Sequence, residues 1–232
     1  MPTTRVFDLP RLPQPEERKL TKSERTRAGI LNAAFDFLWS HPYRELTVNA
    51  LMDRTGVSRP TFYQYFRDLQ ELMSTLLQTL ESEILGVSGP WFQGTGDPVA
   101  LLNEGLTGLV EICYERGPFL RAVADAATTD VRLEASWRAF LKAFDDAVAE
   151  RIEADQRLGL IPPFDARAVA ALTTRMDAYM FVDAFGQHPR QEPEPIRRAV
   201  IRMWVSTLYG PEWVESGRSN LRREAGDLTP AN

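Results

Sequence analysis

Apolar residues recur at three- and four-residue spacings from about residue 23 onward, a pattern typical of amphipathic helices. The first stripe contains Ile30, Ala34 and Leu38 and stops at His41-Pro42, because the residue before a proline is disfavoured in a helix. It predicts a helix over 23–40. No run along the chain shows the sustained polar–apolar alternation of a half-buried strand. We therefore expect an all-α protein.

Cap and turn residues predict two short helices and one longer helix after residue 46. Thr47 is suited to cap a short helix, and Gly56 marks its end. Ser58 is suited to cap a second short helix, with Pro60 in the first turn, where a missing amide hydrogen costs nothing. Asp68 is suited to begin a longer helix that carries a broad apolar stripe.

Glycine and proline punctuate the remainder of the chain. The segment 86–98, GVSGPWFQGTGDP, predicts a loop that interrupts the longer helix. Further helical patterns lie at about 98–116, 118–128, 131–158, 165–187 and 193–209. Together these patterns predict about nine helices, with an N-terminal three-helix helix-turn-helix domain and a C-terminal helical bundle.

The two ends of the chain differ in composition from the part between them. Residues 1–21 are rich in proline and charge, and residues 212–232 are mainly polar, so neither can bury enough apolar surface to offset the entropy of ordering. We expect a flexible arm and a flexible tail there. Between them we expect one domain over 22–68 and a larger one over 69–211.

Composition excludes several classes of protein. The chain has 232 residues, of which 44% are hydrophobic and 25% charged, as in ordinary soluble domains. A single cysteine, Cys113, and two histidines exclude an internal disulfide and the usual zinc sites. No apolar run reaches the roughly 18 residues that a membrane span needs, and no secretory signal is visible. We expect a cytoplasmic protein without membrane contact, metal or cofactor.

The charge distribution is uneven but does not decide the function. The net charge is −5, yet the first 69 residues carry 11 basic and 8 acidic side chains. A basic segment favours contact with nucleic acid. The excess is modest, however, and a chance fluctuation explains it as well.

The run TVNALMDRTGVSRPTFYQYF, over 47–66, fits a helix-turn-helix. Gly56 can adopt the turn conformation, while Leu51 and Phe62 can pack the two helices together. The outward face of the second helix would then present Arg59, Pro60, Thr61, Tyr63 and Gln64. Arginine can bind guanine, glutamine can bind adenine, and hydroxyl groups can reach phosphates or base edges. On spacing alone, an ordinary helical hairpin with solvated polar residues fits equally well.

The region 22–85 resembles the TetR family of bacterial transcriptional regulators. The resemblance rests on a turn of small residues, a helix capped by serine and a cluster of aromatic residues at the end of that helix. These residues are Gly56, Val57, Ser58, Thr61, Phe62, Tyr63, Tyr65 and Phe66. It implies a dimeric regulator that binds double-stranded operator DNA through the helix-turn-helix. It also implies that the domain over 69–211 serves ligand binding and dimerisation.

The resemblance also implies which side chains contact DNA. The helix-turn-helix contributes Thr47, Ser58, Arg59, Pro60, Thr61, Tyr63 and Gln64. Lys22, Arg25 and Arg27 can add contacts to the phosphate backbone, although a solvated helix face explains them equally well. The family commonly has a phosphate-binding lysine where this chain has Leu69. Arg67 and the N-terminal end of the following helix could replace part of that contact, which would then be weaker than in the family.

Beyond residue 90 the chain resembles the ethionamide-response repressor subgroup of actinobacteria, through Trp137, the run ALTTRMDAYMFVDAFG and the ending MWVSTLYG. That resemblance implies an elongated apolar tunnel lined by Leu101, Leu102, Leu109, Cys113, Trp137, Leu141, Phe144, Val148, Thr173, Met176, Asp177, Phe181 and Trp204. Plain core packing is the alternative. Asp177 bears on the choice, because a carboxylate on an apolar face is costly unless it is hydrogen-bonded or reached by water or ligand.

The expected function is a homodimeric repressor, released from a palindromic operator by a small apolar effector. The helices at about 165–187 and 193–209 would form the dimer interface. An enzyme is disfavoured, because neither a phosphate-binding glycine motif nor a nucleophile motif occurs. A helical adaptor that binds protein instead of DNA is the alternative, and salt-dependent DNA affinity would distinguish the two.

Overall fold

The computed structural model describes residues 21–94 and 96–210, and this part of the chain is all-helical, as predicted. Its eight α-helices are α1 Lys22–Leu38, α2 Val48–Thr55, α3 Arg59–Tyr65, α4 Leu69–Gln93, α5 Pro98–Ala127, α6 Val131–Arg157, α7 Ala166–Phe185 and α8 Pro193–Leu208, with a short 3₁₀ helix at Tyr43–Glu45. The tail expected over 212–232, and the arm expected over 1–21 except for Thr21, lie outside the described residues.

The predicted helix starts around the helix-turn-helix are confirmed. The side chains of Thr47, Ser58 and Asp68 each accept a hydrogen bond from the amide three residues further on, at 3.1, 3.3 and 2.8 Å. Gly56 ends α2 in the left-handed conformation, with φ of 67°. These local interactions need no tertiary partner, so the sequence alone predicts them correctly.

The predicted loop over 86–98 is wrong for most of its length, because α4 continues through Pro90 to Gln93. Trp91 is buried, and its indole N–H donates to the Tyr209 hydroxyl at 3.1 Å. On the facing helix, a Cβ atom added at Gly108 would lie only 3.0 Å from the Val87 side chain. Close packing against α5 thus holds this segment helical despite its unfavourable propensity.

The predicted break at Gly117-Pro118 is also wrong, and α5 is one continuous helix of 30 residues. Proline lacks the amide hydrogen that would bond to the carbonyl four residues earlier, which belongs to Tyr114. The guanidinium of Arg190 donates to that carbonyl instead, at 2.5 Å. Because this donor satisfies the Tyr114 carbonyl, the helices predicted at about 98–116 and 118–128 form one helix. The described residues therefore contain eight α-helices, close to the predicted nine.

The helices form one continuous core. Helices α1 to α3 pack around the buried side chains of Leu51, Phe62 and Phe66. Helix α5 lies at the centre of the larger bundle and contacts α4, α6, α7 and α8. In 21–94 and 96–210, no helix is long and apolar enough to cross a membrane.

Two groups of contacts join the N-terminal helices to the bundle. At the start of α4, the Asp68 carboxylate accepts two hydrogen bonds from Arg132 of α6, at 2.8 and 3.1 Å. At the end of α1, the Arg190 guanidinium lies between the rings of Trp39 and Tyr114, 4.7 and 4.1 Å from their centroids. The His188 ring nitrogen lies 3.3 Å from the Trp39 carbonyl oxygen.

A buried polar network stabilises the end of the bundle where α4, α6 and α8 terminate. Asp155 of α6 accepts from the Tyr209 hydroxyl at 2.7 Å and pairs with Arg151 at 2.9 Å. Arg151 also donates to the carbonyl of Gly94, just beyond α4, at 3.1 Å. Burial and the Asp155 carboxylate raise the pKa of Tyr209, so its hydroxyl stays a donor. The network fixes the ends of three helices, and sequence patterns gave no sign of it.

Candidate DNA-binding surface and internal cavity

Helix α3 has one buried and one exposed face. Phe62 is fully buried, while Arg59, Tyr63 and Gln64 on the other face are exposed. The Arg59 guanidinium lies 5.9 Å from the centroid of the Tyr63 ring and 3.5 Å from its hydroxyl oxygen. The polar face predicted from the sequence is therefore open to solvent and presents donors of the kind that bind base edges and phosphates.

The residues around the start of α3 have different roles. Ser58 caps the helix, and its hydroxyl lies 2.8 Å from that of Thr61, which is half-buried. Pro60 is exposed in the first turn. Thr47, at the start of α2, is exposed, and its oxygen accepts the Ala50 amide, so its own hydrogen can donate outward.

The three basic residues of α1, Lys22, Arg25 and Arg27, are exposed. The Arg27 guanidinium lies 5.1 Å from the centroid of the Phe66 ring, directly after α3. This contact places one of the three basic side chains beside the helix-turn-helix.

Helix α4 begins after its cap residue Asp68, as the sequence predicts. Arg67 is exposed but pairs with Glu71, its Nε 3.3 Å from the carboxylate oxygen. Asp68 occupies the helix end as its cap, and hydrogen bonding from Arg132 holds the Asp68 pKa below its usual range. Arg67 is exposed beside the N-terminal end of α4, and its contact with a DNA phosphate in place of the family's lysine stays a prediction.

An internal cavity of about 80 Å³ lies among α4, α5, α6, α7 and α8, with a mainly apolar wall. Its lining contains ten of the residues proposed from the sequence: Leu102, Leu109, Cys113, Trp137, Leu141, Phe144, Val148, Asp177, Phe181 and Trp204. The family resemblance thus identified residues of four separate helices that the fold brings together.

Three proposed lining residues lie elsewhere. Thr173 turns its hydroxyl to the Val169 carbonyl of its own helix, at 2.9 Å, and Met176 is 38% exposed. Leu101 lies against Gly94, at the end of α4. On α7 the residues that face the cavity are instead Thr174 and Asp177, which are three residues apart and so share a face.

Sequence reasoning missed about half of the cavity wall. The residues it omitted include Ile84, Ser88, Trp91, Phe92, Phe140 and Thr174. Three of these follow residue 86, in the segment predicted to be a loop. Phe140 could have been found from its four-residue spacing to Phe144, since side chains four apart on a helix share a face.

Asp177 and Thr174 are the polar feature of the cavity. Asp177 Oδ2 accepts from the Trp204 indole at 2.9 Å. Within the described residues, Asp177 Oδ1 and the Thr174 hydroxyl are buried without a hydrogen-bond partner. Burial raises the pKa of Asp177 to about 7, against the lowering effect of the Trp204 bond. Burial and the nearby Asp177 charge raise the pKa of the Cys113 thiol, which stays protonated.

The described residues hold no group of three or more His, Cys, Asp or Glu side chains that could bind a metal ion. The cavity wall combines buried hydrogen-bonding atoms and one carboxylate with a mainly apolar surface.

Two family profiles match the chain. Residues 30–76 match the bacterial regulatory proteins of the tetR family, and residues 102–210 match the C-terminal domain of the transcriptional regulator EthR. The first match covers the helix-turn-helix, and the second covers most of the cavity wall. The chain belongs to the TetR family.

Curated relatives agree with this assignment. This TetR-family regulator is 23% identical over 212 residues to the HTH-type transcriptional regulator EthR of Mycobacterium tuberculosis, covering 90% of this chain and 98% of that one. It is also 23% identical to EthR of Mycolicibacterium smegmatis, covering 79% of this chain and 86% of that one.

Solved structures show the same fold. One is SmeT, the repressor of the Stenotrophomonas maltophilia multidrug efflux pump SmeDEF, with a TM-score of 0.65 at 15% identity, covering 80% of this chain and 91% of that one. Another is a transcriptional regulator from Rhodococcus, with a TM-score of 0.63 at 22% identity, covering 81% and 98%. The chain therefore has the fold of these helix-turn-helix transcriptional regulators.

Proposed function

We propose that this regulator is a homodimeric repressor that leaves a roughly palindromic operator when a small apolar effector enters the cavity. One observation carries the proposal: helices that line the cavity also hold the DNA-binding helices in place. The N-terminal unit, 22–68, would bind DNA, and the unit over 69–211 would bind the effector and dimerise. Its role would be regulation and not catalysis, in the cytoplasm, where a bacterial chromosome lies.

Helix α6 provides the first connection. Trp137 and Phe140 line the cavity. Arg132, on the same helix, donates hydrogen bonds to the Asp68 carboxylate at the start of α4. Gln70 and Ser74 of α4 also bond to Asp130 and Ser136, at 3.0 and 2.8 Å. A ligand that pushes α6 outward would therefore move the start of α4, which directly follows α3.

Helix α7 provides the second connection. Asp177 and Phe181 line the cavity, and the segment after this helix carries His188 and Arg190, which contact Trp39 at the end of α1. A displacement of α7 would thus reach the DNA-binding helices from the opposite side. Because an effector shifts an equilibrium only by its differential affinity, a coupling of about 1–3 kcal/mol would give roughly 5–150-fold derepression.

The dimer surface that we propose is the exposed apolar face of α7, continued by α8. Leu172, Met176 and Tyr179 recur on one side of α7 and are 71%, 38% and 77% exposed. A second copy would cover this face and form a symmetric four-helix contact. By contrast, the buried α8 residues Val200 and Trp204 pack inside their own protomer and are not available to a partner.

The DNA-binding part is tested with duplex DNA flanking the gene of this regulator. We expect Arg59→Ala and Tyr63→Phe each to weaken binding at fixed salt, by about 1–3 kcal/mol where the side chain reads a base. Arg138→Ala is the matched control, since Arg138 is equally exposed but lies on α6. Affinity should also fall steeply with added salt, because phosphate contacts release counterions. Unchanged affinity in both α3 variants would refute this assignment, and salt-independent binding would favour the adaptor.

The effector part is tested with Trp137→Ala. We expect this change to alter the thermal shift produced by small apolar compounds while DNA affinity without a compound persists, because Trp137 lines the cavity and is not part of the helix-turn-helix. Equal shifts in the two proteins would argue against the cavity as the effector site.

A further inference from the structure

We infer that the effector is an arylalkylamine whose ammonium group binds between the Asp177 carboxylate and the Thr174 hydroxyl. The inference rests on the proposed function, since it names the chemical class of the molecule that enters the cavity. It follows from three features of the cavity wall: two buried acceptors without partners, one isolated negative charge and many aromatic rings.

The two acceptors lie where one small group could reach both. Asp177 and Thr174 are three residues apart on α7, so their side chains lie side by side on the face that lines the cavity. They are only 5% and 7% exposed, and Oδ1 and Oγ1 have no hydrogen-bond partner in the described part of the chain. A buried polar atom without a partner costs free energy, and a ligand donor would recover it. An ammonium group has three N–H donors and could serve both oxygens.

The charge of the site selects for a cation. Asp177 is the one charged side chain in the described cavity wall. The groups that face it from other helices are the Trp204 indole of α8 and the protonated Cys113 thiol of α5, and neither carries a compensating positive charge. A buried carboxylate is stabilised when a cation pairs with it and hydrogen-bonds to it. A carboxylate ligand would be repelled, and a neutral alcohol would leave the charge uncompensated.

The rest of the wall suits the apolar end of such a molecule. Seven lining residues are aromatic, among them Trp137, Phe144, Phe181 and Trp204. Aromatic faces attract ammonium groups by their quadrupole and also pack well against an aryl ring. At about 80 Å³ the cavity is smaller than the roughly 150 Å³ known to hold benzene, so side chains must move even for one ring. The first probes should therefore be small.

The test compares three ligands that share a phenyl ring: 2-phenylethylamine, 2-phenylethanol and phenylacetate. Binding to the full-length protein is measured by titration calorimetry at about pH 8, where the amine is protonated and Asp177 is mostly ionised. We expect the amine to bind at least about tenfold more tightly than the alcohol, and phenylacetate to bind most weakly. Equal or tighter binding of the alcohol or the acid would overturn the inference.

Two variants test whether the preference for the amine over the alcohol depends on Asp177 and Thr174. Asp177→Asn keeps an oxygen that can accept from Trp204 but removes the charge, so we expect the amine and the alcohol to bind with affinities within about twofold of each other. Thr174→Val keeps the shape and removes one acceptor, so we expect a several-fold loss for the amine alone. If Asp177→Asn fails to fold, the amine affinity of Thr174→Val still tests the site. Glu150→Gln, which removes an exposed carboxylate of α6, is the matched control and should bind like the wild type. An amine preference that survives in every folded variant at Asp177 or Thr174 would refute the site.

Release of operator DNA is measured separately from ligand binding. If the amine binds with the expected preference but does not release DNA, the ligand class stands and the proposed derepression fails. If another compound releases DNA while the amine preference is missing, the repressor stands and the amine inference fails.

Discussion

Asp177 is the residue whose chemistry depends most on its surroundings. Its carboxyl group is nearly fully buried, with one indole N–H as its bonded partner and a pKa raised to about 7. In the unfolded chain the same group would titrate near its ordinary 3.8. Folding therefore favours the protonated form, and the ionised form costs stability.

This linkage predicts how stability changes with pH. Above the folded pKa the carboxylate is ionised in both states and its full burial cost is present, whereas below the unfolded pKa the group is protonated in both states and the cost is absent. We expect the wild type to lose stability relative to Asp177→Asn as the pH rises from about 4 to about 7, by on the order of a few kcal/mol, and the difference to stay constant above that range. Urea unfolding at several pH values measures it. Glu150→Gln should follow the wild type throughout, and parallel curves for wild type and Asp177→Asn would contradict the prediction.

At the scale of the helix, α5 depends on a side chain that is far away in the sequence. Pro118 leaves the Tyr114 carbonyl without its usual amide donor, and Arg190, from the segment between α7 and α8, replaces that donor. The same guanidinium stacks on Tyr114 and Trp39. A single residue therefore supports the central helix and its contact with α1.

A double-mutant cycle tests this replacement. Arg190→Ala should lower the free energy of unfolding by about 1–3 kcal/mol, because it leaves a partly buried carbonyl unsatisfied and removes two ring contacts. Pro118→Ala restores the amide hydrogen, so in that background Arg190→Ala should cost about 1 kcal/mol less, the remainder reflecting lost stacking. Denaturant unfolding of the four proteins gives the coupling. Equal costs in the two backgrounds would show that the carbonyl is satisfied without Arg190.

The same helices show what the sequence could and could not predict. The caps at Thr47, Ser58 and Asp68 involve residues three apart, so local reasoning found them. The segments around Pro90 and Pro118 were predicted to break, because their helical state depends on distant partners that only the fold supplies. The cavity wall that the family resemblance implied omitted α4, and on α7 it included Thr173 where the structure has Thr174.

At the scale of the whole molecule, the regulator works only if two copies present α3 with a fixed separation. Successive major grooves on one side of DNA are about 34–36 Å apart, and a symmetric dimer must match that distance or a multiple of it. Within each protomer the DNA-binding helices are held from two sides, at Asp68–Arg132 and at Trp39–Arg190. The dimer contact through α7 would set the spacing between protomers.

We expect Tyr179→Asp to convert the proposed dimer into a folded monomer, because it places a charge in the proposed apolar contact, on its most exposed residue. Light scattering after gel filtration gives the mass, and circular dichroism confirms helicity. Leu158→Asp is the control, since Leu158 is 73% exposed but lies at the end of α6, away from that face. Dimers in both variants would place the interface elsewhere, and monomers in both would show that the charge itself, not its position, disrupts assembly.

The crossing of α5 and α7 at Gly117 constrains how this molecule can move. A Cβ atom there would lie 2.2 Å from the Phe185 carbonyl oxygen, so the two backbones touch and have no room to slide past each other. The cavity residues Asp177 and Phe181 lie on one side of this crossing, and His188 and Arg190 lie on the other. If a ligand spreads the cavity, we expect α7 to pivot about this contact at its last residue, Phe185, and to press the segment that follows it against the end of α1. Gly117→Ala would force the two backbones apart, so we expect it to weaken the proposed coupling between ligand binding and DNA release.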